Sequence, residues 1–384
     1  MMAMALDGVR VLDLTRLLPG GVCTMILADM GADIIKVEDP VGGDYARWMQ
    51  PQVDGMGAFF RTSNRNKRSI VINLKTEDGQ QVFHKLVESA DVVLEGFRPS
   101  VTKRLKVDYD TLKMINPRIV YCSLSGWGQD GPYQNKSGHD LNYVALGGIQ
   151  GSTRTPHPLG AQIADVGASY VGVMAICAAL FKRERTGDGD YVDVSLFESA
   201  MPFAIVQFVE SLTAGFRGGD GTLTGRLACY EVYYSQDVQP MTLAALEPKF
   251  WANFCHTVER PEWLEIHHDP QKQTQLKSAI QVMFRTKTAE EWNDLLANAD
   301  CCFTLVTAPE DVIHDAQVKA RQAAGISENG IPWMRSPARF RSDEFSIGDV
   351  PEYGEHTTAI LSEAGYSDED IAQLQASGAV GLKK

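Results

Sequence analysis

The chain has 384 residues, which is long for one domain and sufficient for two. Hydrophobic residues make up 44% of it and charged residues 22%, the balance of a globular protein with a sizeable core and not of a disordered or fibrous one. The formal net charge of -13 argues against non-specific nucleic-acid binding, which depends on Lys and Arg side chains against phosphates.

The first part of the chain predicts a βαβ unit. Residues 9–14 form an apolar strand candidate, Pro19 marks a helix start, and residues 23–30 repeat apolar side chains at helical spacing. Gly31 ends this helix and residues 33–38 form a second strand, which is expected to run parallel to the first. Further strand candidates follow at residues 69–74, 91–94 and 119–124. We therefore predict an α/β, Rossmann-like large domain with a parallel sheet, although no G-x-G-x-x-G indicates NAD or FAD.

The second part of the chain predicts a smaller α+β domain. A long apolar helix begins near Val166, residues 191–196 form another strand, and the glycine-rich residues 215–225 indicate a linker. Strands and then helices from Pro248 follow, and the Gly- and Pro-rich residues 325–337 indicate a return linker. The domain prediction is a large domain at 1–214, a linker at 215–228, a small domain at 229–324, and a linker with a C-terminal return to the large domain at 325–384.

The cysteines and apolar runs indicate a cytoplasmic protein that does not enter a membrane. Seven cysteines without a C-x-x-C pair predict reduced thiols and no metal site. Residues 1–7 lack the features of a signal peptide. The longest uncharged apolar run, between Asp165 and Lys182, is shorter than the roughly 20 residues that span a bilayer, so we expect a buried helix there.

Three residues are candidates for acid–base chemistry. His139 follows a Gly-rich loop after the strand at 119–124, where open α/β sheets place ligands, although a capping or core histidine is the alternative. Asp165 precedes a long apolar helix and suits either catalysis or an ordinary N-cap. Glu247 suits either catalysis or a helix start.

A basic cluster is a candidate phosphate site in this acidic chain. A solvated surface is the alternative interpretation. Its members are residues 64–69 with Lys75, Arg98, Lys103 and Arg104.

Several spaced motifs together resemble the class III coenzyme-A transferase (CaiB/BaiF) family, which includes the α-methylacyl-CoA racemases. They are residues 6–14 (LDGVRVLDL), 19–20 (PG), 27–33 (LADMGAD), 66–69 (NKRS), 73–75 (NLK), 97–99 (FRP), 124–128 (LSGWG) and 185–187 (RTG). The Gly138-His139-Asp140 and Leu246-Glu247-Pro248 motifs are similar to the racemase branch in particular.

The resemblance implies a 2-methylacyl-CoA racemase that transfers a proton at C2 of an acyl-CoA thioester. His139 and Asp165 are then the acid–base pair, and Glu247 orients His139. CoA is part of the substrate and no separate cofactor is expected. The resemblance also implies an interlocked, ring-like homodimer with its active site at the subunit interface. The implied binding positions are Leu74, Lys75, Gly96, Phe97, Arg98, Arg104, Gly138, Asp140 and Tyr143.

One position departs from the family pattern. Many members carry an arginine after the second strand, where it meets a CoA phosphate, but this chain has Asp39. We expect either that Lys36 or another base substitutes, or that the CoA tail lies differently. We also expect backbone N–H groups of the helix near Val166 to stabilise an enolate.

Two other functions remain open. One is CoA transfer between carboxylic acids, in which Asp165 acts as nucleophile and forms an aspartyl-CoA intermediate. The other is CoA-thioester binding without catalysis.

Overall fold

A computed structural model describes residues 4–340 and 345–382. Residues 1–3 of the N-terminal stretch considered above, and 341–344 and 383–384 of the predicted C-terminal segment, lie outside the described residues. The chain forms two compact units. The first comprises the residues up to Val144, Gly160–Ala200 and those from Ile313 onward, and the second comprises Ala145–Leu159 and Met201–Val312.

Strands and helices alternate through most of the described chain. The strands are β1 (Arg10–Asp13), β2 (Asp33–Glu38), β3 (Gln52–Val53), β4 (Met56–Gly57), β5 (Lys67–Ile72), β6 (Val92–Glu95), β7 (Val120–Ser125), β8 (Asp190–Ser195), β9 (Tyr230–Tyr234), β10 (Pro240–Ala244), β11 (Phe303–Leu305), β12 (Ala324–Ile326), β13 (Pro332–Met334) and β14 (Val380–Gly381). The helices are α1 (Leu17–Asp29), α2 (Ala58–Ser63), α3 (Glu77–Val87), α4 (Val101–Leu105), α5 (Tyr109–Ile115), α6 (Asp140–Leu146), α7 (Ile163–Thr186), α8 (Leu196–Ala200), α9 (Ile205–Ala214), α10 (Pro248–Thr257), α11 (Gln273–Phe284), α12 (Ala289–Leu296), α13 (Ala316–Arg321), α14 (Thr357–Glu363) and α15 (Asp368–Ala376).

The first unit contains the parallel sheet that the sequence predicts. Its strand order is β14-β5-β2-β1-β6-β7-β8, and all neighbours run parallel except β14, which is antiparallel to β5. The order reverses at β1, which pairs with β2 on one side and β6 on the other. Open α/β sheets bind ligands beyond the carboxyl ends of the strands at such a reversal. The α/β prediction is confirmed, and the sheet directs attention to the loops after β1 and β6.

The core explains why these segments form central strands. All four residues of β6 and all six of β7 are buried, as expected for parallel strands covered on both faces. One buried cluster joins the sheet to α3, α5, α14 and α15 through residues that include Phe83, Leu112, Leu361 and Ile371. On β1, successive side chains point to opposite faces, and Val11 and Leu12 are both fully buried. The core thus fixes the positions of the strand ends.

Helix α7 is the long apolar helix predicted from the sequence, but it begins three residues earlier. It runs from Ile163 to Thr186 and ends at Gly187, whose φ of 85° favours glycine. By length and composition it is the helix, among the described residues, that could cross a membrane. Half of that apolar window is buried in the protein, and core helices of soluble proteins meet the same test.

The second unit has its own sheet and core. Strands β9, β10 and β11 form an antiparallel sheet in the order β11-β10-β9. Its core cluster includes Trp251 and Phe254 from α10, Phe284 from α11 and Trp292 from α12. This arrangement confirms the smaller α+β domain.

The limits of the two units differ from the predicted domain boundaries. The middle segment of the first unit ends at Ala200, whereas the first part of the predicted large domain extends to residue 214, because α9 and the turn before it belong to the second unit. Helix α9 buries none of its residues, so its apolar sequence gave no signal of a boundary. Residues 325–337, predicted as a linker, include part of the β12–β13 hairpin. Its strands are three residues long, too short for an alternation pattern to indicate them.

Candidate active site

A cavity of about 550 Å³ opens at the carboxyl edge of the large sheet. It lies beyond β1, β6, β7 and β8, where the strand reversal predicts a ligand. The lining residues are Thr15, Arg16, Leu17, Leu18, Pro19, Gly20, Met49, Phe59, Gly96, Leu124, Gly126, Gly138, His139, Tyr143, Gln162, Asp165 and Leu196. We call this the reaction cavity because it contains two of the three predicted acid–base residues.

His139 lies in the loop immediately before α6, and its side chain lines the reaction cavity. The residue is exposed, so it is not a core histidine. Its backbone N–H donates to Oδ1 of Asn142 at 3.1 Å, which means that the asparagine, and not the imidazole, closes this turn. The imidazole is therefore free of the structural roles that were the alternative to catalysis.

Asp165 is the third residue of α7 and not its N-cap. The cap position is Gln162, whose side chain makes no capping hydrogen bond. The Asp165 carboxyl lines the reaction cavity and is partly buried. Burial raises its pKa to about 6, with a further increase from the Asp140 carboxylate and an opposing decrease from His139. Asp165 therefore exchanges protons close to neutral pH.

Asp140 occupies the N-terminus of α7. Its Oδ1 accepts hydrogen bonds from the backbone N–H groups of Ala164 at 2.7 Å and Asp165 at 3.2 Å. The N–H of Val166 bonds to the Gln162 carbonyl within the helix. The expectation that N–H groups near Val166 stabilise an enolate is therefore wrong, because these donors already have acceptors. Asp140 does not line the reaction cavity and instead bonds to the start of α7 and raises the pKa of Asp165.

Tyr143 lines the reaction cavity together with His139. Its ring is buried and meets the Trp127 ring edge-on, with centroids 4.9 Å apart. A Cβ atom on Gly126 would lie 2.2 Å from the Tyr143 hydroxyl, and one on Gly138 would lie 2.8 Å from its Cε1. Both glycines are thus required for the backbone to approach the tyrosine. Burial raises the pKa of Tyr143 to about 12, so its hydroxyl stays protonated.

Replacing Gly126 with alanine is expected to destabilise the fold by about 1–3 kcal/mol, because the new methyl group overlaps the buried Tyr143 hydroxyl. Urea unfolding measures the change. Gly160→Ala is the control, since a Cβ atom there meets nothing within 4 Å. Equal stability of the two variants would contradict the close approach.

A second cavity, of about 340 Å³, lies along the same edge beyond β1, β2, β5 and β6. We call it the basic cavity because Arg16, Lys75 and Arg104 line it. Of the predicted binding positions, Leu74, Lys75, Phe97 and Arg104 line the basic cavity, and Gly96, Gly138 and Tyr143 line the reaction cavity. Arg98 lines neither, and its Nη2 lies 3.4 Å from the Ser137 hydroxyl. Among the described residues, Arg16 is the one that lines both cavities.

Lys36 cannot replace the arginine missing at position 39. Its ammonium is fully buried, 3.0 Å from the Asp44 carboxylate and 3.8 Å from that of Asp13. The basic residue next to Asp39 is Arg16, whose guanidinium forms an ion pair with the Asp39 carboxylate. Lys36 is therefore not accessible to a ligand phosphate, and the expectation for Lys36 is wrong.

The segment from Thr15 to Leu17 lines the reaction cavity but was not predicted from the sequence as part of the site. Leu17 has a φ of 62°, a left-handed conformation that is costly for leucine, and its N–H donates to the Asp44 carboxylate at 3.2 Å. Thr15 donates from both its N–H and its hydroxyl to Asp13. Its position could have indicated a role in the site, because it directly follows the strand at which the sheet order reverses.

Glu247 belongs to the second unit, where it precedes the first turn of α10. Its side chain is exposed and makes no capping hydrogen bond. Its orienting role beside His139 therefore stays a prediction.

One group of side chains in the described chain could hold a metal ion. Cys229, His267 and His268 of the second unit place their potential ligand atoms within 4.8 Å of one another. However, His267 is bonded through Nε2 to the Ala245 carbonyl at 3.0 Å and stacks on Trp251, as a core histidine does. The absence of a metal site stays a prediction.

Comparison with known proteins agrees with the motifs. The model of the family described as CoA-transferase family III matches residues 6–357. The chain is 31% identical to human alpha-methylacyl-CoA racemase, covering 99% of each, and 34% identical to acetyl-CoA:oxalate CoA-transferase of Acetobacter aceti, covering 93% of this chain and 95% of that protein. A crystal structure of a CAIB/BAIF family protein from Brucella suis superposes with a TM-score of 0.83 at 30% identity, covering 94% of this chain and 100% of that one.

Proposed function

The chain belongs to CoA-transferase family III, and on this premise we propose that it is a 2-methylacyl-CoA racemase. The observation that carries the proposal is that His139 and Asp165, an imidazole and a carboxyl with a pKa of about 6, line one cavity. A 1,1-proton transfer needs two groups that both gain and lose protons near neutral pH.

The reaction proceeds in two proton transfers through an enolate. One of the two groups removes the C2 proton, and the electron pair of the broken C–H bond moves into the thioester as its carbonyl oxygen becomes an enolate oxygen. The other group then delivers its own proton to the opposite face of C2, and the thioester carbonyl re-forms. For the reverse direction the two groups exchange roles, so each must be stable in both protonation states.

The start of α1 supports the enolate in this proposal. Leu18 and Gly20 of its first turn line the reaction cavity, and the N-terminus of a helix favours developing negative charge. Pro19 lies between them and has no N–H to donate. This helix start replaces the α7 amides that Asp140 occupies.

The proposal extends to Glu247 and to a homodimer, as the family resemblance implies. Support comes from α9, which exposes an apolar face in the second unit that includes Phe208, Val209 and Leu212. A face of this kind is typical of a protein interface, and sedimentation equilibrium tests whether the chain dimerises.

We also expect the protein to be cytoplasmic, which fractionation of its source cells tests.

CoA transfer is the second candidate, because relatives with that activity in their names are as similar to this chain as the racemase is. In that reaction the ionised Asp165 attacks the thioester carbonyl, CoA thiolate leaves, and a mixed anhydride forms. The thiolate then attacks the aspartyl carbonyl to give an aspartyl-CoA thioester and the free acid. A second acid accepts CoA by the reverse sequence.

One experiment separates the two functions. A single enantiomer of a 2-methylacyl-CoA is incubated with the protein in D₂O, with and without an added free acid. Deuterium uptake at C2 with loss of chirality, independent of the acid, supports the racemase. No uptake, together with a new CoA thioester of the added acid, moves the protein to CoA transfer. Binding of the thioester without either change favours the non-catalytic alternative.

Asp140→Asn is expected to lower the pKa of Asp165, because the Asp140 carboxylate contributes to raising it. The asparagine Oδ1 still accepts the N–H of Ala164, so the helix start is preserved. In the direction in which Asp165 removes the proton, the acid limb of the kcat/KM profile should therefore move to lower pH. An unchanged limb, or one that moves to higher pH, would contradict the assignment of that limb to Asp165.

A further inference from the structure

Arg16 connects the two cavities of the first unit. It is the residue that lines both, so a ligand that fills both must pass its side chain. Its guanidinium pairs with the Asp39 carboxylate, donates to the Tyr45 hydroxyl at 2.8 Å and lies 5.0 Å from the centre of the Tyr45 ring. The Arg16 and Asp39 side chains are each 32% exposed, so a ligand can reach the pair from solvent.

The two partners are held unequally. Oδ1 of Asp39 accepts the backbone N–H of Val41 at 2.8 Å, and the Asp39 carbonyl accepts the Tyr353 hydroxyl. Asp39 is thus fixed through both its side chain and its backbone. Arg16 is held only through the end of a long, flexible side chain, so it is the partner that can move.

The charges of the basic cavity indicate an anionic ligand. Lys75 and Arg104 are exposed, and neither forms an ion pair within the described residues. Glu38 also lines the cavity, but it is neutralised by Arg47, whose Nη2 lies 2.6 Å from its Oε1. Among the described residues that line this cavity, Asp39 is therefore the one acid without a buried partner. Its negative charge disfavours the anionic ligand that the three cations favour.

We propose that Arg16 is a phosphate-binding residue of this chain and that Asp39 is its counter-ion in the free protein, which the phosphates of an acyl-CoA displace. The inference rests on the proposed function, because it takes the ligand to be a CoA thioester. Many family members supply a positive charge from the end of the second strand, where this chain has Asp39. In this proposal Arg16 supplies that charge from the end of β1 instead. Asp39 weakens binding, because the ion pair must open and the carboxylate then lies near a phosphate.

Replacement of the Asp39 carboxylate by a phosphate as the partner of Arg16 is favourable on general grounds. A partly exposed ion pair changes an equilibrium constant by at most about fivefold. Arginine–phosphate contacts use two parallel, charge-assisted hydrogen bonds and are stronger. The two effects of Asp39 can also be separated, because its repulsion of phosphate persists without Arg16, whereas its competition for Arg16 does not.

The test measures the Kd of free CoA on the full chain by isothermal titration calorimetry. Arg16→Met is expected to raise the Kd at least about tenfold, and Asp39→Asn to lower it about threefold. Asp39→Asn should improve binding less in the Arg16→Met background, because the competition is then gone. Arg16→Lys keeps the charge and should recover part of the affinity, which shows that the loss in Arg16→Met is not a folding defect. Glu88→Gln, which removes one acid from the exposed Lys85–Glu88 pair, is the control and should leave the Kd unchanged.

Titrations with pantetheine and dephospho-CoA identify which part of CoA contacts Arg16. The Arg16→Met loss should disappear with pantetheine, which has no phosphate, and comparison of CoA with dephospho-CoA distinguishes the 3′-phosphate from the diphosphate. Equal loss with pantetheine, an equal Asp39→Asn effect in both backgrounds, or no CoA binding by the unmodified chain would each overturn the inference. The binding test does not depend on turnover. If the expected Kd changes are observed but the chain catalyses neither racemisation nor CoA transfer, the proposed function alone is wrong. If the chain racemises its substrate but the Kd changes are not observed, this inference alone is wrong.

Discussion

Replacing His139 with alanine is expected to lower racemisation, and deuterium exchange at C2 of the enantiomer whose proton His139 removes, by about 10²–10⁴-fold, the usual contribution of a general acid or base. The imidazole lines the reaction cavity and is not needed to close its own turn, which the Asn142 side chain does. The fold should therefore remain intact. Mass spectrometry of the thioester recovered from D₂O measures the exchange.

His256→Ala is the matched control, because His256 is an exposed histidine of α10 that lines neither cavity. It should exchange at the rate of the unmodified chain. If His139→Ala racemises the thioester and exchanges both enantiomers as fast as the unmodified chain, the two-base assignment is wrong. If it loses exchange but transfers CoA to an added acid, His139 serves proton transfer and Asp165 serves both reactions.

Asp165→Asn is expected to abolish both candidate activities, with a loss of at least about 10³-fold in racemisation, in C2 exchange of the enantiomer whose proton Asp165 removes, and in CoA transfer. An amide neither transfers the C2 proton nor forms the anhydride. Exchange in D₂O and transfer to an added acid are measured on the same sample, and hydroxylamine traps an aspartyl thioester in the unmodified chain if transfer occurs.

The stability of the same variant shows whether the loss is chemical. The folded-state pKa of Asp165 is about 6, above its ordinary value of 3.8. The ionised carboxylate is therefore disfavoured in the folded state, and stability falls as pH rises from about 4 to 6. At pH 7 Asp165→Asn should be at least as stable as the unmodified chain in urea. Asp188→Asn, an exposed residue beyond the other end of α7, is the control for both activity and stability. A destabilised Asp165→Asn variant would instead indicate a structural role.

The sequence predicted the large sheet well because its strands carry their signal locally. The predicted strand at residues 33–38 coincides with β2. Buried parallel strands are short apolar runs between breakers, so neighbouring residues suffice to recognise them. The units of the second half were harder to delimit, because α9 is apolar on a face that its own chain leaves exposed.

The sequence indicated candidate site residues, but it did not indicate the contacts that the charged residues among them make. His139 and Asp165 line one cavity, as their proposed chemistry requires. Asp140 was assigned to binding, yet it holds the start of α7, 24 residues further along the chain. Lys36 was expected to meet phosphate, yet it is buried between Asp13 and Asp44. The residue types indicated charge in each case, but not which partner would neutralise it.

The sequence by itself determined the family and the α/β class, since both depend on residue types at short spacing, and the acid–base residues that it indicates stay a prediction. Only the tertiary structure decided which charged groups meet. Arg16 and Asp39 are 23 residues apart in the chain, but they follow β1 and β2, which lie side by side in parallel with Asp13 paired to Lys36. Adjacent strands are only about 4.8 Å apart, so their carboxyl ends bring such residues into contact. Local pattern therefore selects the strands, and the sheet order selects the ion pairs at the edge where the ligand is expected.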